Sequence, residues 1–308
     1  MNVLVDVAFS QIQVLKLVHC FQDRSHFCED DLGAVFASLQ QLTDIDLNQN
    51  DYLTGSCLLL LSVKLKRLSI GKCFGIEHSY LRQMATKCTL ISFFDFEQCH
   101  LADMDQVFAH WPLLRELKLS NFGTSMNVNV FQNLQQLVLF HFSHCRFTTN
   151  QLIAALSDSC PLLEDLDLSG YEIYDGETGA IDYRPLGRLQ CLRHVDLSWH
   201  ERMTDDDLGA IVCGGRLETL RLHLCCKLTS NGLIDAVDKC GDLRQLDVTG
   251  MDDSFQFVAL SFLHVVSVVT DEQVYRRWPL QLTLDRKSRL QIAKCQQFCH
   301  HNLLVRLS

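Results

Sequence analysis

The chain has 308 residues, 47% of them hydrophobic, with a formal charge of −10 and 15 cysteines. That is ample apolar material for a large core, and the acidic balance argues against a nucleic-acid partner. The longest apolar stretches, at 57–63 and 257–269, fall short of the roughly 20 residues that cross a bilayer, so no membrane partner is expected. The N-terminus MNVLVDVAFSQ lacks a basic n-region, there is no N-x-S/T sequon, and the cysteines are odd in number and scattered. These features favour a reducing compartment, cytoplasmic or nuclear, over a secreted disulfide scaffold.

One spacing returns along the whole chain. Ile12, Leu15, Leu17 and Cys20 are set as L-x-x-L-x-L-x-x-C, which is neither a helical period nor a plain strand alternation. Leu42, Ile45, Leu47 and Asn50 repeat it, then Leu65, Leu68, Ile70 and Cys73, then Ile91, Phe94, Phe96 and Cys99. Leu114 to Phe122, Leu137 to Cys145, Leu163 to Tyr171, Leu192 to His200, Leu217 to Cys225 and Leu243 to Met251 complete a series with a mean period of about 26 residues. A degenerate copy is expected in 262–269 and a terminal strand in WPLQLTL, 278–284. Between copies the spacing turns helical: MTDDDLGAIV (203–212), LTSNGLIDAV (228–237) and FTTNQLIAAL (147–156) each open on a threonine suited to cap a helix.

Each repeat thus reads as strand, bend, capped helix and return. One unit cannot bury its own apolar face, so the units stack. The expected fold is an α/β leucine-rich-repeat solenoid, a horseshoe of about 10–11 repeats over 1–275, with parallel strands on the concave face and helices on the convex face. Cys20, Cys73, Cys99, Cys145 and Cys225 close the motif, where a small apolar side chain turns into the core. Cys88, Cys160, Cys191 and Cys240 share a second slot before the next strand, and Cys226 is an exposed neighbour in a bend.

SCPLLEDLDLSGYEI and HERMTDDDLGAIV follow the cysteine-containing subclass of these repeats closely. Over residues 12 to about 275 the chain resembles F-box leucine-rich-repeat proteins. That resemblance implies a protein-binding solenoid that selects substrates for a cullin-RING (SCF-type) ubiquitin ligase in ubiquitin-dependent degradation. An N-terminal F-box would dock on the SCF adaptor and cullin. No F-box pattern precedes residue 12, and residues 1–11 read like the tail of an earlier repeat, so the F-box would belong to a longer product. The other reading is a ligase-independent scaffold or regulatory adaptor.

No P-loop, dinucleotide fingerprint, H-E-x-x-H or G-x-S-x-G occurs, so neither catalysis nor a cofactor is expected. Side chains between the core leucines point to the open strand face and are free to bind. The candidates there are Asp95, His141, Asp167, His194, Asp196, Trp199, Arg221 and His223. Trp199, beside His194, Asp196 and Arg221, has the composition of a binding hot spot, although it could also fold over the next repeat. The insertion 171–190 lengthens one step and carries three tyrosines; such loops often carry function, but an insertion is also simply tolerated. Cys295, Cys299, His300 and His301 are metal-type ligands at a spacing that fits no established zinc pattern, so no metal is expected. Residues 276–308 hold seven Lys/Arg against Asp285, a net +6 that leaves −16 on 1–275. Interleaved leucines there point to a folded basic cap.

Overall fold

The computed structural model describes residues 11–21, 28–98, 104–121, 127–144, 150–170, 181–250, 267–270 and 273–276, the last two stretches as backbone alone. Cys99, Cys145, the tyrosines Tyr171 and Tyr174 of the insertion, the C-terminal Cys/His group and the expected cap beyond Arg276 lie outside the described residues.

The chain forms two compact units. The first, Met1–Phe147 with Asp158–Leu162, contains strands β1 (Val14–Lys16), β2 (Asp44–Asp46), β3 (Arg67–Ser69), β4 (Phe93–Asp95), β5 (Glu116–Lys118) and β6 (Leu139–His141). Each pairs in parallel with the next, and the register sets Leu15, Ile45, Leu68, Phe94, Leu117 and Phe140 side by side. Helices α1 (Glu29–Ser38), α2 (His78–Lys87) and α3 (Asp105–Phe108), with 3-10 turns at Ser56–Leu60 and Val128–Asn133, carry the chain back. The second unit, Thr148–Ser157 with Leu163–Ser308, takes most of α4 (Asn150–Ser159). It adds β7 (Asp165–Asp167), β8 (His194–Asp196), α5 (Asp205–Ile211), β9 (Thr219–Arg221), α6 (Ser230–Lys239) and β10 (Gln245–Asp247). Strands β7 to β10 are parallel neighbours in chain order. β11 (Ser267–Thr270) continues them in parallel, and β12 (Gln273–Arg276) turns back antiparallel on β11.

Strands of three residues follow from the motif. From β2 to β10 the middle residue is buried and its two neighbours face outward, so only L-x-L and its flanks are extended. Three residues later every repeat takes a left-handed backbone: His19, Gln49, Lys72, Gln98, Asn121, His144, Trp199 and Leu224 all have φ between 54° and 73°, and Gly170 and Gly250 stand at the same step. This residue ends the strand and swings the closing side chain inward.

The closing position asks for a donor as well as small size. Asn50 donates to the carbonyls of Leu17 and Leu47, both at 2.7 Å. The Cys73 thiol donates to Leu47 O at 3.1 Å, and the Cys225 thiol to Leu197 O at 3.2 Å. His200 donates from Nε2 to Leu168 O at 2.9 Å. Each side chain satisfies a carbonyl of the preceding repeat's strand exit, a group that would otherwise be buried without a partner. The expectation of a plain hydrophobe at this slot is corrected accordingly. Cys20 is corrected further: it is exposed, and its thiol donates to Val18 O at 3.4 Å.

The second cysteine slot is buried at Cys88, Cys160 and Cys240 and partly exposed at Cys191. Burial pushes the Cys88 and Cys240 thiols up to about 11 and Cys160 up to about 12, so these sulfurs stay protonated and unreactive. In the first unit phenylalanines replace leucines in the strands: Phe94 stacks on Phe96 at 5.5 Å, and Trp111 meets Phe94 edge-on at 4.9 Å while donating its indole N–H to Cys88 O.

A second ladder runs along the helix starts. Glu29, first residue of α1, accepts from Thr54 N, Thr54 Oγ1, Gly55 N and Cys57 N at 2.8–3.1 Å. Asp105 of α3 accepts from Asn127 N, Asn150 of α4 from Asp182 N, and Asp205 of α5 from both Thr229 N and Thr229 Oγ1. In each case the opening residue of one helix holds the start of the next repeat's return segment. Thr204 and Thr229 cap α5 and α6 as expected, Thr204 within a reciprocal box with Asp207.

Candidate functional site

On the strand face of the first unit, the central column reads Lys16, Asp46, Ser69, Asp95, Lys118 and His141 in register. One column earlier, Arg67 organises its neighbours. Its guanidinium lies 3.8 Å over the Phe93 ring and pairs with Asp44 at 3.1 Å and Glu116 at 3.3 Å. Burial pushes the Asp44 carboxyl above its ordinary value, and the charges of Arg67 and Lys16 oppose that only in part. Asp44, Arg67 and Phe93 line a groove of about 270 Å³ with Val14, Lys16, Asp46, Asn48, Ser69 and Asp95.

On the strand face of the second unit the central column is Asp167, Asp196, Arg221 and Asp247. Arg221 pairs with Asp196 at 3.6 Å. Arg193 and Glu218, which precede β8 and β9, pair at 2.6 Å near His194. Trp199 packs its ring edge-on against His223 at 5.2 Å, so it folds onto the neighbouring repeat and is only partly exposed. His223 Nδ1 meets Thr249 Oγ1, and Thr249 gives its hydroxyl proton to Asp247 at 2.9 Å.

The aspartates of both columns share a local task. Asp46, Asp95, Asp167, Asp196 and Asp247 each accept the backbone N–H two residues on, at 2.8–3.2 Å. These are Asx-turns that fix the strand exit. A row of carboxylates that reads as a solvated or binding face is therefore first a row of turn anchors. The second oxygen is also used at Asp95, which accepts from the Asn48 side chain, and at Asp196, which pairs with Arg221.

Of the eight candidates, Asp95 is the one that lines the groove. His141 sits on β6 in the same column, and Asp167, His194, Asp196, Trp199, Arg221 and His223 belong to the second unit. Sequence reasoning missed Arg67, Asp44 and Asn48. A signal existed for Asn48: D-x-N, D-x-S and D-x-T follow the strands at Asp46, Asp167, Asp196 and Asp247, which is Asx-turn chemistry. Among the described residues no group of three His, Cys, Asp or Glu side chains is gathered as a metal site, and no helix is long and apolar enough to cross a membrane.

No protein-family model matches the chain. F-box/LRR-repeat protein 5 of Xenopus tropicalis is 32% identical to it over 103 residues, which is 32% of this chain and 15% of that protein. Among solved structures, TLR13 in complex with ssRNA13 superposes on 90% of this chain and 38% of its own, with a TM-score of 0.58 at 16% identity. An internalin of Listeria monocytogenes superposes on 78% of this chain and 76% of its own, with a TM-score of 0.51 at 14% identity. Repeats, parallel strands and neighbours agree on an α/β leucine-rich-repeat solenoid.

Proposed function

We propose that this chain, a leucine-rich-repeat protein resembling the F-box/LRR proteins, binds a protein substrate on its strand face and presents it to a cullin-RING (SCF-type) ubiquitin ligase. The observation that carries the ligase part is the 32% identity with F-box/LRR-repeat protein 5. The match covers 15% of that protein, so its adaptor contact comes to this chain only as part of the proposal. The binding part has physical support. Three-residue strands in register hold outward side chains on a frame tied repeat to repeat by buried donors, a rigid surface suited to a macromolecular partner. Catalysis has no support: the thiols of Cys88, Cys160 and Cys240 are buried and protonated, and the carboxylates of the central column are used as turn anchors.

Affinity capture of the full-length product followed by mass spectrometry tests this reading. Cullin and SCF-adaptor peptides among the captured proteins are the expected result. Their absence, with other proteins reproducibly captured, would favour the ligase-independent scaffold.

A further inference from the structure

The two units treat one arrangement differently. In the second unit, Asp196 and Asp247 stand on either side of Arg221 in register, and Arg221 pairs with Asp196 at 3.6 Å. In the first unit, Asp46 and Asp95 stand in the same way on either side of Ser69. There the middle position has no cation, and the space a long side chain would fill is part of the groove of about 270 Å³. Beyond it, two residues after Ser69, Gly71 lets the Asn48 side chain lie close, accepting from Gly71 N and donating to Asp95 at 3.3 Å, so the slot is bounded on that side.

We propose that this slot receives the arginine side chain of a protein partner, so that Asp46 and Asp95 grip an incoming guanidinium much as Asp196 holds Arg221. The inference rests on the protein-binding reading of the strand face. The two aspartates lie two strands apart, about 9.6 Å between Cα atoms. A planar guanidinium with a charge-assisted hydrogen bond of about 2.8 Å on each side bridges such a gap.

The carboxylates have capacity for the guest. Asp46 spends one oxygen on Asn48 N, and Asp95 accepts from Glu97 N and from the Asn48 side chain at 3.3 Å. Neither aspartate makes an ion pair among the described residues. The nearby cations do not fill the slot. Arg67 is held by Asp44, Glu116 and the Phe93 ring, Lys118 lies 6.0 Å over Phe93, and Lys16 is exposed beside Asp46.

The test uses N-acetyl-arginine methylamide as probe, titrated into the full chain and followed by amide chemical shifts. Shifts centred on Ser69, Gly71, Asp46 and Asp95 are expected, with none from the neutral citrulline analogue. The double variant Asp46→Asn with Asp95→Asn keeps the Asx-turns and removes both charges, so it should fold normally and lose the shifts. Ser69→Arg, which supplies an internal guest, should also lose them, and Lys16→Ala should tighten binding by removing a like charge. Equal response to citrulline, binding that survives the double variant, or no shift up to the probe's solubility would each overturn the proposal. A lysine probe that binds as well as arginine would overturn the guanidinium specificity. Cullin capture by the double variant reports separately on the ligase reading, which can fail while the slot stands, or the reverse.

Discussion

His200 does at one closing position what Asn50 does at another, and its ring adds a pH dependence that Asn50 lacks. The imidazole is 1% exposed, gives its Nε2 proton to Leu168 O and takes the Tyr183 hydroxyl on Nδ1, so both nitrogens are engaged only when the ring is neutral. Burial pushes its pKa below the ordinary histidine value, against the opposing pull of the Leu168 carbonyl and the Asp196 charge. The folded state therefore refuses a proton that the unfolded chain accepts. Stability from this residue is complete above about pH 6.5 and falls as the pH drops below it, by up to about 1.4 kcal/mol per pH unit. Denaturant melts at about pH 8 and about pH 5.5 should show that loss in the natural chain and a shallower one in His200→Asn. Identical slopes in the two would place the acid sensitivity elsewhere. The left-handed step before the closing residue makes a second point at this scale. Lys72 has φ 57° there, a conformation that costs an L-residue about 1 kcal/mol or more. Lys72→Gly should leave stability unchanged or raise it slightly. Gly250→Ala should lower it, since φ is 71° and an added Cβ would lie 2.4 Å from the Leu224 side chain.

The helix-start ladder changes the usual rules for helix substitutions. Gly232 lies in α6, where glycine to alanine ordinarily gains up to about 1 kcal/mol. Here an added Cβ would sit 2.1 Å from the Asp205 carboxylate, which holds Thr229 N and Thr229 Oγ1. Gly232→Ala should therefore destabilise the chain by breaking that grip. In an Asp205→Gly background, which also removes the Asp205 Cβ that would lie 2.6 Å away, the same change should gain stability, and a double-mutant cycle by thermal melting reads the reversal of sign directly. Glu29 is the stronger case, with four donors on one carboxylate. Its burial opposes ionisation, but the N–H groups of Thr54 and Cys57 outweigh that and hold its pKa below the ordinary value. Glu29→Ala should cost about 2–4 kcal/mol by leaving those donors without their acceptor. A cost near zero would show that solvent replaces the carboxylate. None of this ladder was legible beforehand. The threonine caps announced themselves by residue type at a helix start, whereas the ladder's acceptors, Glu29 for Thr54 and Asp205 for Thr229, lie 25 and 24 residues upstream and are set by the stacking of repeats. The same holds for the groove: a long side chain such as Arg67 could point several ways, and its contact with Phe93 depends on parallel register.

For the whole molecule, what the sequence announced was the period. Leucines at fixed spacing can be buried only if copies stack, so strand register, parallel pairing and the buried identity of Leu42, Leu68, Leu166 and Leu222 followed from one repeated frame. Stacking also sets how damage spreads. The ties between repeats run to the next neighbour: Leu222 N donates to Asp247 O on one side, while on the other Leu197 N donates to Arg221 O and the Cys225 thiol reaches Leu197 O. In such an array stability is a sum of local terms and nearest-neighbour couplings. Leu222 is fully buried, so Leu222→Asp places an unpaired charge in the core at a cost of about 3 kcal/mol or more. The loss should be steep near the substitution and fade with distance along the array. Hydrogen exchange should accelerate at the amides of Leu197, Leu222 and Leu224, while Leu47 and Ile70, several repeats away, keep most of their protection. If protection falls by the same factor at Leu47 as at Leu224, the chain unfolds as one cooperative block, and the nearest-neighbour picture of its stability is wrong.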